Sequence, residues 1–119
     1  MKIESQTARV DFEEFLGDTL TLSFGYCDEV GTLINLTGYS ISCIFATQAL
    51  PNDVIFNATS SNGGIIVDAV PYNIIVKLST TDTNIFIAGR YVYSVLITDP
   101  YGDVNTLING LITFKDRSL

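Results

Sequence analysis

The chain has 119 residues, 47% hydrophobic and 16% charged, the size and balance of one globular domain rather than a disordered tail. Six basic against 13 acidic side chains give a formal charge of −7, which argues against a nucleic-acid-binding face and against an anionic membrane surface. The absence of histidine removes Ser-His-Asp and Cys-His triads and every histidine-containing metal site.

The first residues, Met1 to Gln6, carry no apolar core of the kind a secretory signal needs, so none is expected. Residues 1–14 are expected to form a docking arm or an edge strand. Within them, the acidic run Asp11-Phe12-Glu13-Glu14 reads as a charged edge that discourages sheet-to-sheet pairing. The other reading, one member of a glycosidase carboxylate pair, lacks a cleft to sit in.

Gly17-Asp18 then starts a strand out of a tight bend. Thr19 to Tyr26 alternates cleanly, with Leu20, Leu22, Phe24 and Tyr26 on one face. Asp28 to Gly31 is a turn, and Leu36-Thr37-Gly38-Tyr39 is a second break. In it Gly38 is expected to supply a positive φ and Tyr39 to cover one end of the core. Ser40 to Thr47 is strand-like, with Ile41, Cys43 and Phe45 on one face. Val54 to Thr59 follows, and then the turn Ser60-Ser61-Asn62-Gly63-Gly64. Ile65 to Val67 and Asn73 to Leu78 are two more strands, separated by a turn around Pro71.

Residues 79–87 fit one helical turn, capped by Ser79 and Asp82 and ended by Gly89. Gly89 to Asp99 is the clearest strand, with Tyr91, Tyr93, Val95 and Ile97 sharing a face. Its longest apolar run, Tyr91 to Ile97, is far too short to cross a membrane as a helix. Asp99-Pro100-Tyr101-Gly102 is a turn with proline at the favoured second position, and Val104 to Lys115 closes the chain. The expected fold class is all-β: one immunoglobulin-like β-sandwich over residues 1–119, built from about eight short antiparallel strands. Tyr91 takes the place of a tyrosine corner and Tyr93 that of the second core cysteine.

The residues offer little chemistry. Cys27 and Cys43 read as two buried thiols rather than a disulfide framework or a zinc site. Asp28 with Glu29, and Asp99 with Asp103, read as turn residues rather than calcium ligands. Lys77 is a solvated strand lysine rather than half of a Ser-Lys pair. No phosphate-binding loop, cofactor, metal or catalytic residue is expected.

Several phrases stand in a fixed order: Gly17-Asp18-Thr19-Leu20, Gly31-Thr32, Leu36-Thr37-Gly38-Tyr39 and Ser61-Asn62-Gly63-Gly64-Ile65. Leu78-Ser79, Gly89-Arg90-Tyr91-Val92-Tyr93, Thr98 to Gly102 and Leu107 to Thr113, with Gly110, follow. In this order they resemble the small β-sandwich domain of tailed-phage virion proteins, in the form found at the N-terminus of the baseplate upper protein. The resemblance runs from about Phe15 to Phe114. It implies assembly rather than catalysis: a virion protein, made in the host cytoplasm, that attaches to other phage proteins. It further implies a homo-oligomer or symmetric array on the particle.

In multidomain relatives such a domain anchors a receptor-binding part. The domain stands alone in this sequence, which shifts the expectation to an adaptor on the tail or baseplate, or to a capsid decoration protein. Phe12, Glu13, Glu14, Phe15, Tyr72 and Tyr101 are the interface residues expected. A different class of function is a carbohydrate-binding module, for which Tyr72 and Tyr101 must both present their rings to solvent.

Overall fold

The computed structural model describes residues 2–3, 8–28, 30–48, 53–67 and 72–116. Two sheets stack face to face. One has the order β1 (Lys2–Ile3), β4 (Leu20–Tyr26), β8 (Ile74–Leu78), β7 (Ile65–Val67). The other runs β2 (Ala8–Arg9), β10 (Val104–Lys115), β9 (Gly89–Thr98), β5 (Ser40–Thr47), β6 (Val54–Thr59). In this second sheet β3 (Phe12–Phe15) continues the line of β2 along β10. The architecture is the expected all-β immunoglobulin-like sandwich.

Alternation fills the core. Leu20, Leu22 and Phe24 of β4 face Ile41, Cys43 and Phe45 of β5, and Tyr91, Tyr93, Val95 and Ile97 of β9, across the sandwich, and all are buried. Phe45 stacks on Tyr93 at 6.2 Å, and Phe86 stacks on Phe114 at 4.5 Å, so aromatic rings run through the core to the end that holds Phe86. In β10 the register shifts between Thr106 and Ile108, and this bulge turns both Leu107 and Ile108 inward. The cysteines are free and buried, as expected. Burial pushes the Cys43 thiol far above its usual range.

The helical turn is also present. It is α1 (Thr80–Thr83), where Ser79 Oγ accepts from Asp82 N–H while Asp82 Oδ2 accepts from Ser79 N–H. Gly89 does not end it, contrary to expectation. The helix stops at Asn84, and Gly89 opens β9 with φ 145°. Four helical residues use up the helix, and the turn after it, held by Ile85 N–H to Asp82 O and Phe86 N–H to Thr83 O, leaves Phe86 buried in the core.

Tyr91 forms the expected corner. Its hydroxyl donates to Ile87 O at 2.9 Å and accepts from Ile87 N–H at 2.9 Å. Tyr91→Phe leaves both Ile87 groups without that partner and is expected to cost about 1–2 kcal/mol in urea unfolding. An unchanged midpoint would mean that solvent replaces the hydroxyl.

One pairing pattern departs from expectation. The N-terminal pieces β1, β2 and β3 pair in parallel, β1 with β4 and the other two with β10. The physical reason is a change of sheet. The chain runs up beside β4, crosses, and comes down beside β10, so each contact has the same direction as its neighbour.

Candidate functional site

The N-terminal segment forms one lateral edge of the sandwich. Gly110 makes its seat: a Cβ built there would stand 2.0 Å from Val10 O. The carbonyl held so close also accepts from the Tyr93 hydroxyl at 2.5 Å. Burial pushes the Tyr93 phenol well above its usual range, which keeps it a donor. Beside it Asp11 Oδ1 accepts from Leu111 N–H at 2.9 Å and lies 3.6 Å from Arg9 Nε. Val10 and Asp11 thereby interrupt the strand between β2 and β3.

The acidic run then splits by face. Phe12 is half-buried, its ring 5.7 Å from Tyr93 and 6.5 Å from Phe24. Its ring therefore joins the two sheets. Glu13 is exposed and meets Lys115 Nζ at 2.7 Å. Glu14 is half-buried on the Phe12 face, and its Oε1 accepts from Phe15 N–H at 3.0 Å. Phe15 is 45% exposed. A groove of about 410 Å³ runs between this edge and β4, with Val10, Phe12 and Glu14 on one wall and Leu20 to Phe24 on the other.

Lys115 holds the Glu13 carboxyl below its ordinary value by hydrogen bond and charge. A depressed folded-state value means that the contribution to stability is present above the unfolded carboxylate's pKa and is lost as pH falls through the folded one. Both side chains are exposed, so this contribution is small. Lys115→Met should return Glu13 to the ordinary carboxylate range in an NMR titration. No change would show that the pair does not form in solution.

Tyr72 and Tyr101 lie elsewhere. The register puts both at the end where β4 finishes and β5 begins. Tyr101 is 92% exposed at the tip of the β9–β10 hairpin, and Tyr72, which precedes β8, is 36% exposed. Neither is buried.

The turns around them are built alike. Asp28 Oδ1 accepts from Val30 and Thr32 N–H, and Asp99 Oδ1 accepts from Tyr101 and Asp103 N–H. The oxygens weighed as calcium ligands thus bond backbone N–H groups. Among the described residues no three Cys, Asp or Glu side chains gather to hold a metal ion. Gly38, at φ 86°, lets the chain cross between sheets, with Leu36 buried under it and Tyr39 packed on the core. Gly17 is at φ 83°, with Asp18 N–H bonded to Phe15 O, and Thr19 leads into β4. Glu29, Pro71 and part of the 1–14 segment lie outside the described residues.

Two structural residues escaped the sequence reading. Asn73 is buried, and its side chain bonds Tyr26 N–H, Tyr26 O and Ile34 O. Asn62 caps β6, accepting from Thr59 N–H and donating to Asn57 O. An Asn in a turn carries no mark that separates such a clamp from an ordinary turn residue.

No family model matches the sequence, and no curated protein matches it. Similar solved structures include the N-terminal domain of phage TP901-1 ORF48, with a TM-score of 0.50 and 10% identity over 96% of this chain and 94% of that one. A Clostridium thermocellum CbhA fibronectin(III)-like module gives a TM-score of 0.44 and 13% identity over 98% of both chains. Murine CRIg gives 0.41 and 13% identity over 94% of this chain and 92% of that one. At such identities the likeness to the phage domain is one of fold.

Proposed function

We propose that the protein is a non-enzymatic structural component of a tailed-phage particle, an attachment module of the tail or baseplate that binds other virion proteins. The observation that carries this reading is the match with a phage-protein domain over nearly the full length of both chains. The ordered turn residues add support, because Gly17, Gly38 and Gly110 each occupy a position with a positive φ or a close backbone approach. The acidic charge fits a module kept soluble by self-repulsion until it meets a basic partner.

The test is reattachment. Purified protein is mixed with particles that lack it and sedimented at rising salt. It is expected to sediment with the particles and to be released as salt screens the contact. Failure to sediment at any salt would overturn the reading.

A glycan-binding reading draws on the exposed ring of Tyr101 and the partly exposed ring of Tyr72. It requires glycan binding that Tyr101→Ala abolishes, whereas the attachment reading expects no glycan binding.

A further inference from the structure

The sandwich has four lateral edges, and they are protected unequally. Along β6, Asn62 occupies Thr59 N–H and Asn57 O. Along β3, the Glu14 carboxylate covers Phe15 N–H. The β7 edge is only three residues long. Along β4 the outward groups of Thr21 and Ser23 carry no such side-chain cover among the described residues, and a groove lies beside them.

Alternation shows which β4 groups lie open. Tyr26 bonds Asn73, which precedes β8, through both N–H and C=O. Successive residues of a strand point their N–H and C=O to opposite edges, so Leu20, Leu22 and Phe24 face β8 with Tyr26. Thr21, Ser23 and Gly25 then face outward. The β8 side agrees: Lys77, opposite Thr21, donates its N–H to Gly64 O on the β7 side instead. β1 covers only Gly25 and Tyr26.

We propose that the β4 edge at Thr21 and Ser23 accepts an extended segment of a partner protein whose groove-facing side chains, every second residue, are two apolar and one basic. The added strand would bond the outward N–H and C=O of both residues and lie over the 410 Å³ groove. Its two inward apolar side chains would meet Val10 and Phe12, and the inward basic one would meet Glu14, on the same face of β3 as Phe12. Glu14 gives one oxygen to Phe15 N–H, and a carboxylate has acceptor capacity beyond that. The nearest basic side chain by register, Lys77, is paired with Thr21 on the outer face of the sheet, away from the groove. A second copy of this chain fits poorly, because self-pairing would bring Glu13 and Glu14 of both copies together. This inference rests on the reading of the protein as an attachment module.

The test is amide hydrogen exchange, followed by NMR, with a short synthetic peptide that carries valine, valine and lysine at every second position and threonine between them. The same peptide with glutamate in place of lysine is the control. The valine–lysine peptide is expected to slow exchange at Thr21 and Ser23 by about tenfold or more, and the control to leave them unchanged. Ser23→Pro removes one outward donor and should weaken binding about tenfold. Glu14→Gln keeps an acceptor for Phe15 N–H and should weaken binding several-fold, so the inference does not depend on the proline variant folding. Protection at β6 or β7, equal effects of the two peptides, or no binding at millimolar peptide would each overturn it. Particle reattachment is scored separately. Reattachment with Glu14→Gln and wild type at equal affinity would overturn this docking mode and leave the attachment reading standing. Failure of the wild type to reattach would remove that reading instead.

Discussion

Gly110→Ala is expected to destabilise the domain by about 3 kcal/mol, the upper end for overpacking a tight contact. The added methyl group would stand 2.0 Å from Val10 O and 2.8 Å from Val10 C, and both are backbone atoms. No rotamer change relieves such a contact, so the N-terminal segment must move off β10. It would take with it the Tyr93–Val10 hydrogen bond and the Asp11–Leu111 bond. Urea unfolding gives the loss, and faster amide exchange along β3 shows where it arises. A loss below about 0.5 kcal/mol, the size of an ordinary surface change, would mean that the segment is not seated on Gly110.

Asn73→Ala is expected to cost about 3–4 kcal/mol, because it leaves one N–H and two carbonyls without their partner in a largely buried setting. Asn73→Asp separates the contributions. It keeps the acceptor for Tyr26 N–H but cannot donate to Tyr26 O or Ile34 O while ionised. At neutral pH it should therefore be no more stable than the alanine variant, since it sets a buried negative charge against two carbonyl oxygens. An aspartate variant near wild-type stability in urea would show that the donor bonds contribute nothing.

Most of the sandwich is legible in the sequence, because each central strand buries one face and the apolar residues repeat every second position. Ser40–Thr47, Val54–Thr59, Ile65–Val67 and Val104–Lys115 occupy the expected bounds. The capped helical turn and the tyrosine corner are legible for a different reason: each is a fixed side-chain–backbone bond at short spacing.

The edge carrying the groove is harder to read. Its bonds join residues 83 to 102 positions apart, such as Val10 with Tyr93 and Glu13 with Lys115, and no local pattern announces them. The charges of Asp11, Glu13 and Glu14 mark an edge, yet Phe12 among them packs on Phe24 and Tyr93. Val10 and Phe12 hold the period-two signal for that face, and the acidic neighbours obscure it. The parallel pairing of β1 with β4 at Gly25 and Tyr26 is a long-range register as well, which composition does not encode.

The most direct test of the attachment reading is the copy number of the protein in purified phage particles, by quantitative mass spectrometry against the major capsid protein. A few to a few dozen copies are expected, as for a tail or baseplate component. Hundreds of copies would move the protein to the capsid surface as a decoration protein. Complete absence from particles would overturn the attachment reading.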